Sequence, residues 1–301
     1  MSSLCRMRSV PLLLAISLVV MMALPATSMA AQAPVGLGTA ASFGVLAGQG
    51  ITNTGPTTIG GNAGGNVGTT PNPSFTGAAD VTLSGAAHLA DAVALQAQAD
   101  LKTAYDNAAG RTPFATVGAE LGGTTKTPGV YVSSSSAFGI TGTLTLDAKG
   151  DPNAVFIFKS ASDLITASGS NIKLLNGARP CGVYWQVTSS ATLGTGSHFV
   201  GHLMALQSIA AQTGATITGQ LLARNGTVTL DTNTITNVQC PTVPSSTDTS
   251  GTAGTAGTEE SPTINGGELP KTASPWYNLL LAGVALTLLG VVGLKTRKTH
   301  A

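Results

Sequence analysis

A pattern of apolar and polar positions repeats itself, at a fixed offset of 18, along residues 195–237. Phe199, Ile217 and Ile235 share one position of this repeat, and small or apolar residues recur at every second position beside them. A period of two is typical of a β-strand rather than a helix. A short fixed period with apolar columns is typical of a solenoid, in which each coil covers the inner face of its neighbour. The pattern predicts a β-solenoid in which one repeat makes one coil.

Threonines flank the apolar position in two of these repeats. The outward positions beside Ile217 and Ile235 are occupied by Thr216, Thr218, Thr234 and Thr236. Threonines two apart on a strand lie about 6.6 Å from each other, and neighbouring coils are about 4.8 Å apart. The predicted result is a flat grid of hydroxyl and methyl groups on a rigid backbone. Threonine is also a common residue on exposed strands, so the grid alone does not assign a function.

One segment, residues 85–109, predicts an α-helix. Ser84 is a suitable N-cap and Gly110 a suitable stop. Apolar residues recur every four positions and form one stripe: Leu89, Val93, Ala97, Leu101 and Tyr105. In a chain that is otherwise β, only the wall of the solenoid can cover this stripe, so we expect the helix to pack along it.

Three segments, at residues 129–132, 154–158 and 182–187, look like versions of one buried strand. They carry most of the aromatic bulk of the domain, at Phe156, Phe158, Tyr184 and Trp185. A stacked aromatic row is more typical of a core than of a sugar-binding platform. We interpret these residues as core.

The two ends of the chain predict segments outside the folded domain. Residues 1–30 combine a basic start, an apolar run and a small-residue cleavage site, which predicts a secretory signal peptide. Residues 241–268 are rich in Ser, Thr, Gly and Pro and predict a flexible stalk. Residues 31–240 remain, enough for one sizeable domain.

The tail, residues 269–301, predicts an anchor. An apolar run at 276–294 is long enough to span a bilayer, and the basic residues after it should stay cytoplasmic. Before the run stands the motif Leu269, Pro270, Lys271, Thr272 and Ala273. The arrangement resembles the cell-wall sorting signal of Gram-positive surface proteins, which a sortase cleaves after the threonine, although Ala273 stands where glycine is expected. A plain membrane anchor is the alternative. Both tether the protein outside the cell membrane.

Composition excludes several kinds of function. Charged residues make up 9% of the chain and the formal net charge is +1, so no basic patch is available for nucleic acid. A polysaccharide-cleaving enzyme would need acidic and basic side chains converging in a groove, whereas Asp147, Asp151 and Asp163 lie near predicted corners without a basic partner at the matching coil position. The potential metal ligands lack compact spacing: Cys181, His198, His202 and Cys240. We expect neither a cofactor nor a metal.

Two cysteines, Cys181 and Cys240, belong to the expected domain. An extracellular setting favours a disulfide. By the period of the repeat, Cys181 shares its column with Ile235, about 14 Å along the axis, and the chain from Ile235 to Cys240 spans at most roughly 17 Å. A bridge therefore requires the chain to run back along the solenoid, and it could contribute about 4 kcal/mol. The alternation points Cys181 inward, so a buried free thiol is the alternative.

Several blocks in order resemble the microbial ice-binding protein family, a family of secreted bacterial, algal and fungal proteins long catalogued as a domain of unknown function. The blocks are GITNTGPT at residues 50–57, the helix, AVFIF at 154–158, CGVYWQV at 181–187 and LARNGTVTL at 222–230. The resemblance implies a right-handed, discontinuous β-solenoid of triangular section with the helix along one face. It also implies that the amino-terminal coil inserts next to the last coil. The match between residues 51–53 and residues 235–237 is what this pairing would require.

The resemblance also implies a site. Family members bind ice through a flat face, often with Thr-Ala/Gly-x-Thr/Asn elements. The tetrapeptide from Thr213 and Gly214 to Thr216 matches this element, whereas those beginning at Thr195 and Asp231 match only in part. We therefore expect ice contacts from Thr195, Thr213, Gly214, Thr216, Thr218, Thr234, Thr236 and Thr52.

His198 and Val200 interrupt this grid, so it should cover two coils and a third through Thr52. The interruption favours ice recrystallisation inhibition or ice adhesion over deep freezing-point depression. A cell-surface adhesion or structural module of the same fold, without ice binding, is the competing function.

Overall fold

The computed structural model describes residues 32–239. Four predicted features lie outside the described residues: the signal peptide (1–30), Cys240, the stalk (241–268) and the tail with its apolar run (269–301). Within residues 32–239 the fold is mostly β, with parallel sheets and one α-helix. No helix in this part of the chain is both long and apolar enough to cross a membrane.

The strands are short and occur along the whole described range. The first nine are β1 (Phe43–Ala47), β2 (Gly50–Thr54), β3 (Thr57–Gly60), β4 (Asn66–Thr69), β5 (Phe75–Thr76), β6 (Val81–Leu83), β7 (Ala87–Leu89), β8 (Ala115–Val117) and β9 (Thr125–Lys126). Helix α1 (Ala92–Gly110) lies between β7 and β8. The next six are β10 (Gly129–Ser133), β11 (Phe138–Ile140), β12 (Thr143–Asp147), β13 (Phe156–Ser160), β14 (Leu164–Thr166) and β15 (Asn171–Leu175). The last seven are β16 (Val183–Val187), β17 (Ala191–Leu193), β18 (His198–Ala205), β19 (Ile209–Ala211), β20 (Thr216–Ala223), β21 (Thr227–Asp231) and β22 (Thr234–Thr236).

Successive passes of the chain stack in parallel on three ladders of strands. The small sheet is one ladder of seven strands, in the order β11-β14-β17-β19-β21-β2-β5. The other 15 strands form a second sheet that holds two ladders. The helix ladder contains β1, β10, β13, β16 and the second halves of β18 and β20. The outer ladder contains β12, β15, the first halves of β18 and β20, and then β22, β3 and β6. Each pass visits the helix ladder, the small sheet and the outer ladder in turn.

The coil length predicted from the repeat holds only for the later passes. Ala191 pairs with Ile209, and the neighbouring contact between Ser190 and Ser208 has the predicted offset of 18. Leu164 pairs with Ala191, and the contact between Asp163 and Ser190 has an offset of 27. The longer coils have loops, at residues 148–155 and 176–182, between the outer ladder and the helix ladder.

β18 and β20 each continue around this corner as one bent strand, without an intervening loop. The bend is made by Gly201 (φ 111°) and Gly219 (φ 149°). A side chain at Gly219 would collide with the backbone of Gly201. Glycine is therefore required where the short coils turn the corner.

The amino-terminal coil lies beside the last carboxy-terminal coil, as the resemblance implies. β1 pairs with β20, β2 with β21 and β3 with β22. The expected pairing of residues 51–53 with residues 235–237 was wrong, however. Ile51 pairs with Val228 in the small sheet, and the residue of the amino-terminal coil that pairs with Ile235 is Ile59. The two matching tripeptides therefore lie in different sheets.

Helix α1 packs against the strands of the helix ladder, and it starts later than Ser84. The side chain of Asp91 caps it by accepting a 2.8 Å hydrogen bond from the amide of Ala94, while residues 87–89 pair with β4 as strand β7. The predicted stripe is correspondingly wrong at its start, because Leu89 and Val93 are 39% and 46% exposed. The buried face consists of Ala94, Ala97, Leu101, Ala104, Tyr105 and Ala108. Polar contacts fasten it to the helix ladder: Gln98 donates to the carbonyl of Ala223 (3.0 Å) and Tyr105 to that of Val187 (3.2 Å).

The aromatic row is core, as predicted. The rings of Phe158 and Trp185 stack with centroids 4.2 Å apart, and Tyr131 stacks on the other side of Phe158 at 5.3 Å. The indole nitrogen of Trp185 donates to the carbonyl of Val200 (3.0 Å). Tyr184 faces the other side of its strand and is buried under α1.

Candidate functional site

The predicted threonine grid forms on the outer ladder. Thr216 pairs with Thr234, and Thr218 with Thr236, in parallel register. Between them Ile217 and Ile235 are buried, so the threonines point outward as expected.

The grid extends further than the sequence repeat indicates. Thr234 pairs with Thr58, and Thr58 with Thr82, so a column of four threonines starts at Thr216. Sequence reasoning missed Thr58 and Thr82. A signal was present at the first of these, because Thr58 and Ile59 repeat the pair of Thr234 and Ile235.

The grid ends abruptly on its other side. His198 pairs with Thr216, and its Nδ1 lies 2.6 Å from the threonine hydroxyl, which is thus engaged within the protein. Val200 occupies the position beside Thr218, and the next strand carries the exposed charge of Lys173. The predicted interruption at His198 and Val200 is confirmed.

Thr195, Thr213 and Gly214 lie in the turns between the small sheet and the outer ladder. Gly214 has φ 70°, a left-handed conformation that suits glycine. The Thr213 hydroxyl donates to the carboxylate of Asp231 on the adjacent coil. Thr195 lies at hydrogen-bonding distance from Gln212 (3.5 Å). These residues form an edge between the small sheet and the outer ladder, and hydrogen bonds connect parts of this edge from one coil to the next.

Thr52 does not belong to the grid, which corrects the expectation that it supplies a third coil. It lies on the small sheet, paired with Thr229 on one side and Thr76 on the other. Continuing across the sheet, the central outward column consists of Gly139, Ile165, Thr192, Ala210, Thr229, Thr52 and Thr76.

The central column of the small sheet contains no charged residue, although the carboxylate of Glu120, which bridges to Gly139, lies against its first strand. This column contains only glycine, alanine, threonine and one isoleucine, Ile165, which is 56% exposed. Beside the central column, the hydroxyl oxygens of Ser208 and Thr227 on neighbouring coils lie 3.4 Å apart. Within residues 32–239, the hydroxyls of Thr52 and Thr229 make no hydrogen bond to the protein, and both residues are exposed, so these groups are available to solvent. Sequence reasoning missed this surface because its threonines are spread over strands that are far apart in the chain.

The acidic and histidine residues singled out in the sequence make local contacts in the described part of the chain. No group of three or more His, Cys, Asp or Glu side chains there could hold a metal ion. Asp147 pairs locally with Lys149, two residues further along the chain, at 2.7 Å. Hydrogen bonds from Lys149 and Asn176 lower the pKa of Asp147 to about 2. Asp163 lies in the turn between β13 and β14, and its carboxylate accepts a 3.2 Å hydrogen bond from the backbone amide of Ser190 on the next coil.

His202 lies on the same strand as His198, in the half of β18 that belongs to the helix ladder, where it is buried. Burial lowers the pKa of His202 to about 4, so the ring is neutral near pH 7. Its Nδ1 lies 2.6 Å from the side-chain oxygen of Gln220. The amide nitrogen of Gln220 in turn donates to the carbonyls of Ala40 and Phe43 (2.9 and 2.5 Å). This pair therefore fastens the amino-terminal segment rather than binding a ligand.

Cys181 is disulfide-bonded, and because residues 32–239 contain no second cysteine, its partner lies outside them. The alternative of a buried free thiol is therefore wrong, while the pairing with Cys240 stays a prediction. Cys181 is also not in the column of Ile235, as the period suggested. It lies in a 3-10 turn, Pro180–Gly182, whereas the column of Ile235 leads back through Ile217 and Phe199 to strand β15, not to Cys181.

Comparison with known proteins matches the same region. The model of the family described as "Ice-binding-like" matches residues 45–236. The chain is 49% identical over 210 residues to an ice-binding protein of Nostoc sp. (strain HG1), covering 69% of this chain and 76% of that protein.

Two solved structures are also similar. One is an ice-binding protein from an Antarctic biological consortium, with TM-score 0.67 and 42% identity over 70% of this chain and 94% of that one. The other, from the Antarctic ascomycete Antarctomyces psychrotrophicus, has TM-score 0.65 and 44% identity over 69% of this chain and 100% of that one. The chain belongs to the ice-binding-like family.

Proposed function

We propose that this protein binds ice, and that the small sheet is the surface that contacts it. Ice presents a flat, uncharged lattice of water, so adsorption requires a wide flat surface whose groups do not hold tight hydration shells of their own. The uncharged central column of seven strands is the observation that carries the proposal. With neighbouring strands about 4.8 Å apart, six steps give a surface roughly 29 Å long.

Adsorption depends on number and flatness rather than on one strong contact. A hydroxyl such as that of Thr229 holds a water molecule, and its methyl group restricts where that water lies. Each water-mediated contact contributes little alone, because it replaces a contact with bulk water. A row of such groups at constant spacing holds many waters at once and attaches the protein to one crystal plane. Growth is then hindered where the protein lies, which fits inhibition of recrystallisation.

The outer ladder is the second candidate surface, and the column of four threonines from Thr216 to Thr82 favours it. Thr218 and Thr236 widen it, and the turns with Thr195 and Thr213 connect it to the small sheet. We assign it a supporting role. Three steps of the column cover only about 14 Å, and the engaged hydroxyl of Thr216 and the charge of Lys173 bound it on one side.

The repeat predicts a β-solenoid, and the resemblance implies that it is right-handed and of triangular section. Three ladders visited in turn by each pass support this description. The signal-peptide pattern at 1–30 and the motif at 269–273 support secretion and attachment outside the cell membrane, by a sortase to the cell wall or through residues 276–294 to the membrane.

Ice binding is tested with one variant at the centre of the small sheet and one matched control. Purified protein is assayed for inhibition of ice recrystallisation and for incorporation into a growing single ice crystal. Ala210→Tyr places a ring in the middle of the flat surface and should abolish both effects. Thr103→Tyr, on the exposed side of α1, should retain both. If the unmodified protein affects ice at no concentration, the adhesion function replaces this one, and an active Ala210→Tyr variant would exclude the small sheet.

Attachment is tested separately through the motif. Thr272→Ala should move the protein from a detergent-resistant wall fraction to the membrane fraction of the producing cell. An unchanged distribution would show that the motif is not processed and that the apolar run alone retains the protein.

A further inference from the structure

A cavity of about 610 Å³ opens at the corner between the outer ladder and the helix ladder. Its walls come from the amino-terminal segment, the long corner loops, α1 and the last described residues of the chain. Apolar side chains dominate the lining, at Val35, Leu37, Val93, Ala154, Val155 and Val238. The volume is of the size that holds a small ligand or a few residues of chain.

The chain itself leads into this cavity. After β22 the amide of Asn237 donates to the carbonyl of Gly60 (2.7 Å), and its side chain donates to Ala41 (2.9 Å). The amide of Gln239 then donates to the side chain of Asn62 (2.9 Å). Asn237, Val238 and Gln239 all line the cavity, so the next residue, Cys240, starts at its rim.

Cys181 also lines this cavity. It is disulfide-bonded to a cysteine outside residues 32–239, and the chain has only two others, Cys5 and Cys240. Cys240 follows directly on Gln239, whereas Cys5 lies inside the predicted signal peptide, far in sequence from Gln32. The residues after Cys240 are Pro241, Thr242, Val243 and Pro244, an uncharged and largely apolar stretch that suits an apolar cavity.

We propose that residues 240–244 occupy this cavity and that a disulfide between Cys240 and Cys181 fastens them there. Forming the bond removes two protons and two electrons from the two thiols, and an exchanging disulfide accepts them by becoming two thiols. The cavity is thus a docking groove for the chain's own extension, not a ligand pocket. This corner is the one that the small sheet does not border, so the extension leaves the domain on the side away from the small sheet.

The disulfide is tested by peptide mapping of the full-length chain without reductant. The expected result is one linked peptide pair containing Cys181 and Cys240. A link from Cys181 to Cys5, or to a second copy of the chain, would overturn the proposal.

Occupation of the groove is tested by hydrogen exchange of the amides of Thr242 and Val243 in the same full-length protein. Exchange there should be roughly tenfold or more slower than in the stalk. Val93→Arg, in the groove wall, should remove this protection. Leu95→Arg, on the same helix but 63% exposed and outside the groove, should leave it intact.

Unprotected amides in the unmodified protein would overturn the docking, as would protection that survives Val93→Arg. A bound small molecule found by native mass spectrometry would identify the cavity as a ligand site instead. None of these measurements involves ice, so the proposal stands or fails apart from ice binding.

Discussion

The small sheet and the outer ladder are built from the same coils, yet they offer different surfaces. The outer ladder has more threonines per coil, but they cover four coils and end at His198 and Lys173. The small sheet has fewer hydroxyls, but it continues over seven strands without a charge in its central column. For adsorption to a flat lattice, extent and absence of charge outweigh the density of one residue type. The comparison teaches that a threonine count does not by itself locate such a surface.

The largest effect is expected from disrupting the small sheet at two adjacent strands. The double variant Thr52→Tyr and Thr229→Tyr puts two rings where flatness is needed, and we expect activity in recrystallisation assays to fall by roughly tenfold or more, equivalent to at least about 1.4 kcal/mol of binding. Both side chains are exposed, so the fold should persist, which circular dichroism checks. A folded double variant with full activity would remove the small sheet from consideration.

A smaller effect is expected from the matching change on the outer ladder. Thr58→Tyr and Thr234→Tyr also alter two adjacent exposed strands. If this surface has only a supporting role, activity should fall by about twofold to threefold, less than about 1 kcal/mol. A loss equal to that of the small-sheet variant would make the two surfaces equal partners, and a larger loss would reverse their ranking.

A still smaller change, in the opposite direction, is expected at the boundary of the outer ladder. His198→Thr would extend the threonine column by one strand and release the hydroxyl of Thr216. We expect a gain in activity of at most about twofold, since one strand adds only about 4.8 Å to the surface. Measuring ice incorporation of this variant beside the unmodified protein checks the sign, and a loss would show that the imidazole itself contributes.

No change in ice activity is expected between pH 7 and pH 5, although stability should change. The central column of the small sheet has no titratable group. The stability of the fold, in contrast, depends on His202, because burial lowers the pKa of this side chain from 6.5 to about 4. Between these two pH values the unfolded chain binds more protons than the folded protein. Lowering the pH from 7 to 5 should therefore reduce the free energy of unfolding by about 2 kcal/mol. Urea unfolding at both pH values checks this. Loss of ice activity at pH 5 in protein that is still folded would contradict the assignment to an uncharged surface.

The sequence predicted well where the chain repeats itself locally. The register of Thr216 with Thr234 follows from a period that is continuous between them. Thr58 and Thr52 could not be placed in this way, because a long-range insertion, not a repeat, brings the amino-terminal coil beside the last one. The local match of residues 51–53 to residues 235–237 was misleading, since short strands on different sheets have the same alternation.

Other differences have local causes. The start of α1 was placed too early because Ser84 and Asp91 are both acceptable caps, and pairing of β7 with β4 decides between them. Cys181 was assigned to the wrong column because the earlier coils are lengthened by a corner loop that the later coils lack. Nothing in the apolar pattern of the last coils indicates such a loop.

The insertion of the amino-terminal coil also determines when the strands of this domain can form all their pairings during synthesis. Strands β1, β2 and β3 leave the ribosome long before β20, β21 and β22 with which they pair. Contacts between segments this distant in sequence form late and slow folding. Until about residue 236 has emerged, the first coil can pair with β4, β5 and β6 on one side only, and its other edge depends on other protection against association. A truncation anywhere before that point would therefore leave both ends of the domain unfinished.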